Sequence, residues 1–341
     1  MALTVNYNEE GIPDGVPTYL FDQAERYRED PMAAALEWFA NAHLGLSVFF
    51  GLHGLIGRHE DVVEREEMPF TEYAALEKQL TAKNFDPIDI VELAIAASAR
   101  YLAFPAVYDD GFCLYNSALT EFNSVHSPAH RDFVAELASV CEYHGLGLSL
   151  EYSLGVNHHK WPGGIPKEAQ SEYLDHVHAQ LHELLTQYGP IAAISFNGLR
   201  RVKRLFPAWS PQDLYDMVHG LQPSTLVAFR QGHTGTEDFY TVAETPPTEQ
   251  DDADTHGHVT AKRPRKPLEV RQSLTPGGRG FNAGEAGHHL KVEKLLEKMR
   301  YAYQHGANLL VNTALMPDGS LDLEDITTLL DFGKSLPKPT L

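Results

Sequence analysis

The sequence predicts an α/β fold, a barrel of parallel strands wrapped by helices. Short apolar runs alternate with longer amphipathic segments along the chain. Several of these runs are apolar almost without alternation, as in parallel strands covered on both faces. No GxGxxG or Walker-type glycine loop follows any of them, which leaves the open doubly wound sheet as the weaker alternative. At 341 residues the chain is long for one average domain, yet barrels of this kind use that much for one.

The strand candidates are 44–50, 101–108, 146–152, 191–196, 225–229, 268–273 and 308–312. They number seven, so a closed barrel requires one further short or irregular strand. Between them lie the helices. Asp86 and Pro87 supply an N-cap and a first-turn proline, with Ile90, Val91, Ala94, Ile95 and Ser98 on one face. Ser127 and Pro128 predict a second start of this type, followed by a stripe of Phe133, Leu137, Val140 and Cys141 that Gly145 ends. Tyr173, Val177, Leu181, Leu184 and Tyr188 repeat the spacing before Gly189, and Leu295, Leu296, Met299 and Tyr303 do so before Gly306. Residues 1–30 read as an N-terminal extension and 31–341 as one barrel. The segment 245–267 breaks the rhythm with four prolines, an acidic patch and a basic run. It reads as a mobile, solvated loop, or as a lid over the site.

Composition narrows the function. Lys and Arg total 27 against 47 Asp and Glu, a net charge of −20, which repels phosphate backbones and argues against nucleic acid as a partner. No apolar run is long enough to span a membrane, and the first residues carry no secretory pattern, so a cytoplasmic protein is expected. Cys113 and Cys141 are expected to be reduced core thiols.

In a parallel barrel the chemistry gathers where strands end and loops begin. Strand ends therefore nominate residues. The first offers Phe49, Phe50 and His53; the second Tyr108 and Asp109, with Asp110 read as a turn residue. The third offers Glu151 and Tyr152, with His158 in the next loop; the fourth Asn197; and the fifth Arg230, with Glu244 beyond. Carboxylates gathered in one mouth need partners, since an unpaired buried charge is costly. Asp109, Glu151 and Glu244 are the acid and base candidates. Trp38 and Trp209 read as packing residues.

The motifs resemble the α-L-fucosidases of glycoside hydrolase family 29. Trp38, Phe39, Ala42 and Gly45 resemble the start of that barrel, and Phe85-Asp86-Pro87 and Ala99-Arg100-Tyr101 also fit. The most specific stretch runs from Asp110 to Tyr115, with Thr120, Phe122, Asn123 and Ser124. Asn308-Leu309-Leu310, Asn312 and Asp318-Gly319-Ser320 close the likeness, which covers about residues 38 to 335 in the family's order. The resemblance implies a (β/α)8-like TIM barrel, somewhat irregular, and here without the C-terminal β-sandwich that the family often adds.

It also implies a changed site. The family's nucleophile is an Asp at the end of the fourth strand, and that position here is Asn197. The family's His-Trp-Gly at the first strand end reads Phe49-Phe50-Gly51, and its second-strand histidines are replaced by Tyr108 and Asp109. Arg230 matches a sugar-contacting Arg. Glu244 matches the acid/base Glu, given a one-residue insertion. A retaining glycosidase needs an anionic oxygen as nucleophile, which a carboxamide does not supply. The sequence therefore leads to a carbohydrate-active protein, a glycosidase with rebuilt chemistry acting on a sugar or glycoside. Asp109, Glu151, Glu244 and Asn197 are its catalytic candidates, with Phe49, Phe50, His53, Tyr108, Tyr152 and Arg230 around the substrate. The alternative is a catalytically inactive sugar-binding or interaction protein on the same scaffold. No cofactor is expected; a divalent metal held by His53, Asp109, Glu151 and His158 is the variant reading.

Overall fold

A computed structural model of the chain describes residues 15–154, 157–161, 164–198, 202, 206, 209–229, 234–243 and 266–336. Eight strands form one sheet: β1 Leu44–Phe49, β2 Tyr101–Val107, β3 Gly147–Ser153, β4 Ala193–Asn197, β5 Leu226–Ala228, β6 Tyr240–Ala243, β7 Leu268–Ser273 and β8 Ala307–Ala314. Their order is β5-β4-β3-β2-β1-β8-β7-β6, and every ladder is parallel. Between β5 and β6 the ring is joined by a single parallel bridge, Ala228 to Phe239. The result is a nearly closed (β/α)8 barrel.

Seven of the eight strands fall where the apolar runs predict them. The eighth, β6, is four residues long; its polar Thr241 and the flanking Asp238 and Glu244 break up the apolar run that marks the others. The segment 245–267, apart from Lys266 and Pro267, lies outside the described residues, as does 1–14 of the N-terminal extension.

Seven helices of ten residues or more are present among the described residues: α1 Pro31–Ala40, α2 Pro87–Ala96, α3 Phe133–His144, α4 Gln170–Gln187, α5 Gln212–Leu221, α6 Val292–Gln304 and α7 Leu323–Ser335. None is long and apolar enough to cross a membrane. Asp86 caps α2 as expected, accepting from the main-chain N–H of Ile88 at 2.9 Å, a contact worth about 1 kcal/mol. The start of α3 is a correction. Ser127 and Pro128 form an isolated turn, with the Ser127 hydroxyl donating to the Ser124 carbonyl at 2.7 Å. The helix begins five residues later, because Asp132 is the residue whose carboxylate accepts the first-turn N–H of Ala135, at 2.9 Å. Gly145 ends α3 in the left-handed region at φ 69°, as expected. Ile95 and Tyr303, assigned to apolar stripes, are exposed instead, and Leu93 and Ala302 take those buried places.

Alternation along each strand divides the apolar residues into two layers. Val48, Phe104, Leu148, Leu150, Ile194 and Val270 pack outward with the helices in the larger core. A smaller cluster seals the base of the barrel: Tyr19, Leu20, Trp38 and Phe39 from the N-terminal segments pack with Tyr101, Ala103, Ala193, Leu226 and Leu310. Trp38 is thus a packing residue. Phe39 lies 5.4 Å from Tyr101 and 4.2 Å from Phe239 between ring centroids. This plug closes the end where the strands start, so the barrel opens only where they finish. Gly45 makes room for it, since a Cβ there would sit 2.3 Å from the Tyr101 ring. Gly45→Ala is accordingly expected to destabilise the fold by about 1–3 kcal/mol, seen as a lower Tm in thermal unfolding.

Candidate active site

A cavity of about 800 Å³ opens at the finishing ends of the strands, with Glu60, Tyr108, Glu151, Asn197, Arg271 and Arg279 in its wall. Strand parity selects the residues that face it. On β3, Leu148, Leu150 and Tyr152 belong to the outer core, so Ser149, Glu151 and Ser153 point inward. By the same alternation β4 turns Ser195 and Asn197 inward, β7 turns Glu269, Arg271 and Ser273, and β8 turns Asn308, Leu310 and Asn312.

Glu151 stands at the centre of this polar layer with 3% of its side chain exposed. Arg271 reaches across from β7 and donates to Oε1 at 2.8 Å. Arg279, from the loop after β7, donates to Oε2 at 2.7 Å, and the Asn197 amide donates to the same oxygen at 3.3 Å. Burial alone would raise the Glu151 pKa, but the charges of Arg279 and then Arg271 overcome it and hold the carboxyl at about 2. Arg271 is shared further, with Glu269 Oε1 at 3.1 Å and Ser195 Oγ at 3.0 Å. Tyr101 donates to the other Glu269 oxygen at 2.8 Å. The network therefore runs from the plug at the base up to the cavity floor.

Glu60 anchors the loop above. Its Oε2 accepts the main-chain N–H groups of Arg279 and Gly280 at 2.9 and 2.8 Å. Burial opposes ionisation of Glu60, and Arg279 with these N–H groups overcomes it, so its pKa is lowered. Asn312 of β8 holds the Arg279 carbonyl at 2.9 Å. Asp61 also lines the cavity and accepts from Tyr108 at 3.4 Å; burial and the neighbouring Glu60 charge raise its pKa.

Only part of the sequence-nominated set meets in this cavity. Glu151, Asn197 and Tyr108 line it together. Asp109 is half-buried to one side, where it accepts from the Ser153 hydroxyl. Phe49 is fully buried beneath Arg279, whose guanidinium carbon lies 4.4 Å from the ring centroid. His53 is buried behind Phe49, at 5.2 Å between centroids, and burial lowers its pKa to about 4. Phe50 and Tyr152 face away from the cavity. Strand parity sends Phe50 out against Phe133 at 5.5 Å, and Tyr152 out to donate to Gln180 of α4 at 2.7 Å. Of Phe49, Phe50, Tyr108 and Tyr152, all expected around the substrate, Tyr108 alone lines the cavity. Asp110 is a turn residue as expected, accepting from the Phe112 N–H at 2.8 Å. Arg230 and Glu244 lie outside the described residues.

The variant metal set does not converge either. Glu151 is committed to two guanidiniums, and His158 stacks on Phe70 at 5.5 Å. Among the described residues, the three or more His, Cys, Asp or Glu near enough to share an ion are His289, Asp322 and Glu324, at the start of α7.

Arg271, Arg279, Glu60 and Asp61 were not nominated from sequence. The strand-end rule covered the first five strands only. Applied to 268–273 it reaches Arg271, and the glycines at 277, 278 and 280 mark the close-packed loop that carries Arg279.

The barrel is plugged at its base and carries a charged, concave mouth at its strand ends, where this architecture places its ligand sites. The comparisons specify the family. The family profile described as Alpha-L-fucosidase matches residues 22–339, and the chain belongs to that family. Alpha-L-fucosidase 1 of Arabidopsis thaliana is 31% identical over 146 residues, 40% of this chain and 27% of that protein. Tissue alpha-L-fucosidase of Rattus norvegicus is 27% identical over 134 residues, 34% of this chain and 29% of that one. The chain thus matches less than a third of the length of these relatives. Among solved structures, alpha-L-fucosidase isoenzyme 1 from Paenibacillus thiaminolyticus superposes with a TM-score of 0.74 at 23% identity, covering 89% of this chain and 75% of that one. The alpha-L-fucosidase AlfC from Lactobacillus casei, solved with its alpha-L-fucose product, gives 0.73 at 22% identity, over 88% of this chain and 97% of that one. At these identities the structural likeness establishes the fold.

Because the folded-state pKa of Glu151 lies below its ordinary value of 4.5, its contribution to stability is present above that value and is lost as pH falls toward 2. Tm is expected to fall over that window, with a shallower fall in Glu151→Gln. At neutral pH that variant is expected to lose about 3–5 kcal/mol, since it takes from two part-buried guanidiniums the carboxylate they share and leaves only Glu269 and the more distant Glu60, as denaturant titration would measure.

Proposed function

We propose that the protein binds a sugar or glycoside in the strand-end cavity and forms no covalent glycosyl intermediate on residue 197. The observation that carries this reading is the neutral Asn197 amide, which lines the cavity and spends one N–H on Glu151. Double displacement needs an anionic oxygen to attack the anomeric carbon. Glu151, the nearest carboxylate, has each oxygen held by a guanidinium and is too strongly acidic to act as a proton donor. Membership of the alpha-L-fucosidase family supports a carbohydrate ligand. The buried, unpaired thiols of Cys113 and Cys141 support a reducing, cytoplasmic setting.

One observation favours hydrolysis by rebuilt chemistry. Asp61 lines the same cavity with a raised pKa, while Glu151 stays ionised. Two carboxyls whose surroundings push their affinities for protons apart are the usual mark of an acid and its charged partner. In this version Asp61 protonates the leaving oxygen, water attacks the anomeric carbon as that C–O bond breaks, and the proton shed by the water passes to solvent, from which Asp61 is reprotonated.

Calorimetry against monosaccharides, followed by long incubation with aryl glycosides, separates the two versions. Binding without product favours the binding protein, and turnover abolished by Asp61→Asn favours the hydrolase. Asn197→Asp is expected to leave an aryl α-L-fucoside uncleaved, because it places a carboxylate against an ionised Glu151. A fluoro-sugar adduct mapped by mass spectrometry to residue 197 of that variant, with turnover restored, would show that only the nucleophile had been lost.

A further inference from the structure

We propose that His59 and Glu285 form a proton-dependent latch on the loop that carries Arg279. With a proton shared between them the loop is held down; when rising pH removes that proton, the loop loosens and the grip of Arg279 on Glu151 loosens with it. The latch goes beyond the sugar-binding reading and does not depend on it.

The loop lies against the segment around His59. The His59 N–H donates to the Phe281 carbonyl at 3.0 Å, and the Ala283 N–H donates to the Gly57 carbonyl at 3.1 Å. Two glycines let the loop come close. A Cβ on Gly277 would stand 2.5 Å from Glu285 Oε1 and 2.7 Å from His59 Nε2, and one on Gly278 would stand 2.9 Å from His59 Nδ1. The loop therefore rests directly on the two side chains, and a change in their separation reaches Arg279 through its own neighbours in the chain.

Counting donors and acceptors around the imidazole locates the proton. His59 Nδ1 is 3.1 Å from the Gly280 carbonyl oxygen, which only accepts, so Nδ1 carries a hydrogen. Nε2 is 2.9 Å from Glu285 Oε1 and 2.8 Å from Asn282 Nδ2. The Asn282 amide is fixed this way round because its Oδ1 accepts the Gly284 N–H at 3.0 Å. If Nε2 is bare, it accepts from Asn282, and Glu285 must be protonated to approach it. If Nε2 carries a hydrogen, it donates to Glu285, and His59 is a cation. Either way the contact holds one proton more than a neutral imidazole beside an ionised carboxylate. Without that proton a carboxylate oxygen faces a ring lone pair, and the two repel.

Water does not readily replace the lost bond. The His59 side chain is 6% exposed and that of Glu285 18%, and Glu285 Oε2 is buried with no hydrogen-bond partner among the described residues. His59 also stands at φ 67°, a left-handed backbone that a non-glycine residue adopts at a cost, so its segment relaxes once the contact is gone. Other charges bear on the proton. Glu60, whose Oε2 borders Gly278 beside His59 Nδ1, favours it; Arg279 and His53 oppose it. Arg58 and Asp61 turn instead to Glu66 and Tyr108. A proton bound in the closed form and shed in the open one stabilises the closed form at low pH and less as pH rises.

The test is hydrogen–deuterium exchange of the full chain, read by mass spectrometry and corrected for the intrinsic pH dependence of amide exchange. The Arg279 and Gly280 N–H groups, which Glu60 holds, are the reporters, and strand β2 is the control. Between about pH 6 and about pH 9 the wild type is expected to lose about tenfold protection over residues 277–285, with β2 unchanged. Glu285→Gln is expected to show no such fall, because a carboxamide brings its own hydrogens to Nε2. His59→Asn, which removes the imidazole and suits a left-handed backbone, is expected to be poorly protected at both pH values. A wild type equally protected at both pH values overturns the latch, as does a Glu285→Gln that falls as the wild type does. If Glu285→Gln does not fold, His59→Asn decides, and a fall there matching that of the wild type overturns the latch equally.

Discussion

The site depends on one buried anion. Glu151 sits on the barrel floor where an isolated carboxylate would be driven to take up a proton, and two arginines from the opposite wall keep it ionised. Each arginine is in turn placed by something else. Arg271 is an inward residue of a strand, and Arg279 rides on a loop that Glu60 and Asn312 tie down. The shape of the cavity and the charge of its floor are thus set by the same few contacts. The neutral side chain at 197 belongs to this arrangement, because it gives Glu151 a hydrogen bond where an acid would repel it.

The ionised carboxylate of the floor stands on β3, and the end of β4 carries a neutral amide. Fastened by two cations, that carboxylate sets the electrostatics of the whole floor. The fold tolerates these side chains because the ladders use only the main chain of Glu151, Asn197 and Arg271, while the base plug meets the polar floor through the bond between Tyr101 and Glu269.

Much of this was legible in the sequence. All the strands but β6 declare themselves as apolar runs because their outward faces must meet helices. Asp86 with Pro87 and the glycine at 145 mark helix ends through local chemistry alone. What could not be read is governed by distance in the chain. Asp132 displaced Ser127 as a cap because both are good caps, and packing chose between them. Glu151 was found by its position but misread as a free acid, since its partners lie 120 and 128 residues away. Phe50 and Tyr152 were misplaced for a simpler reason. Their strands are buried on both faces, so hydrophobicity does not reveal parity; the polar neighbours Ser47 and Glu151 do.

The aromatic plug has a kinetic consequence. With Tyr19, Trp38, Phe39 and Tyr101 closing the base, the barrel is a blind vessel. Any molecule admitted at the strand ends must back out along its entry route, so one rim governs both its arrival and its release.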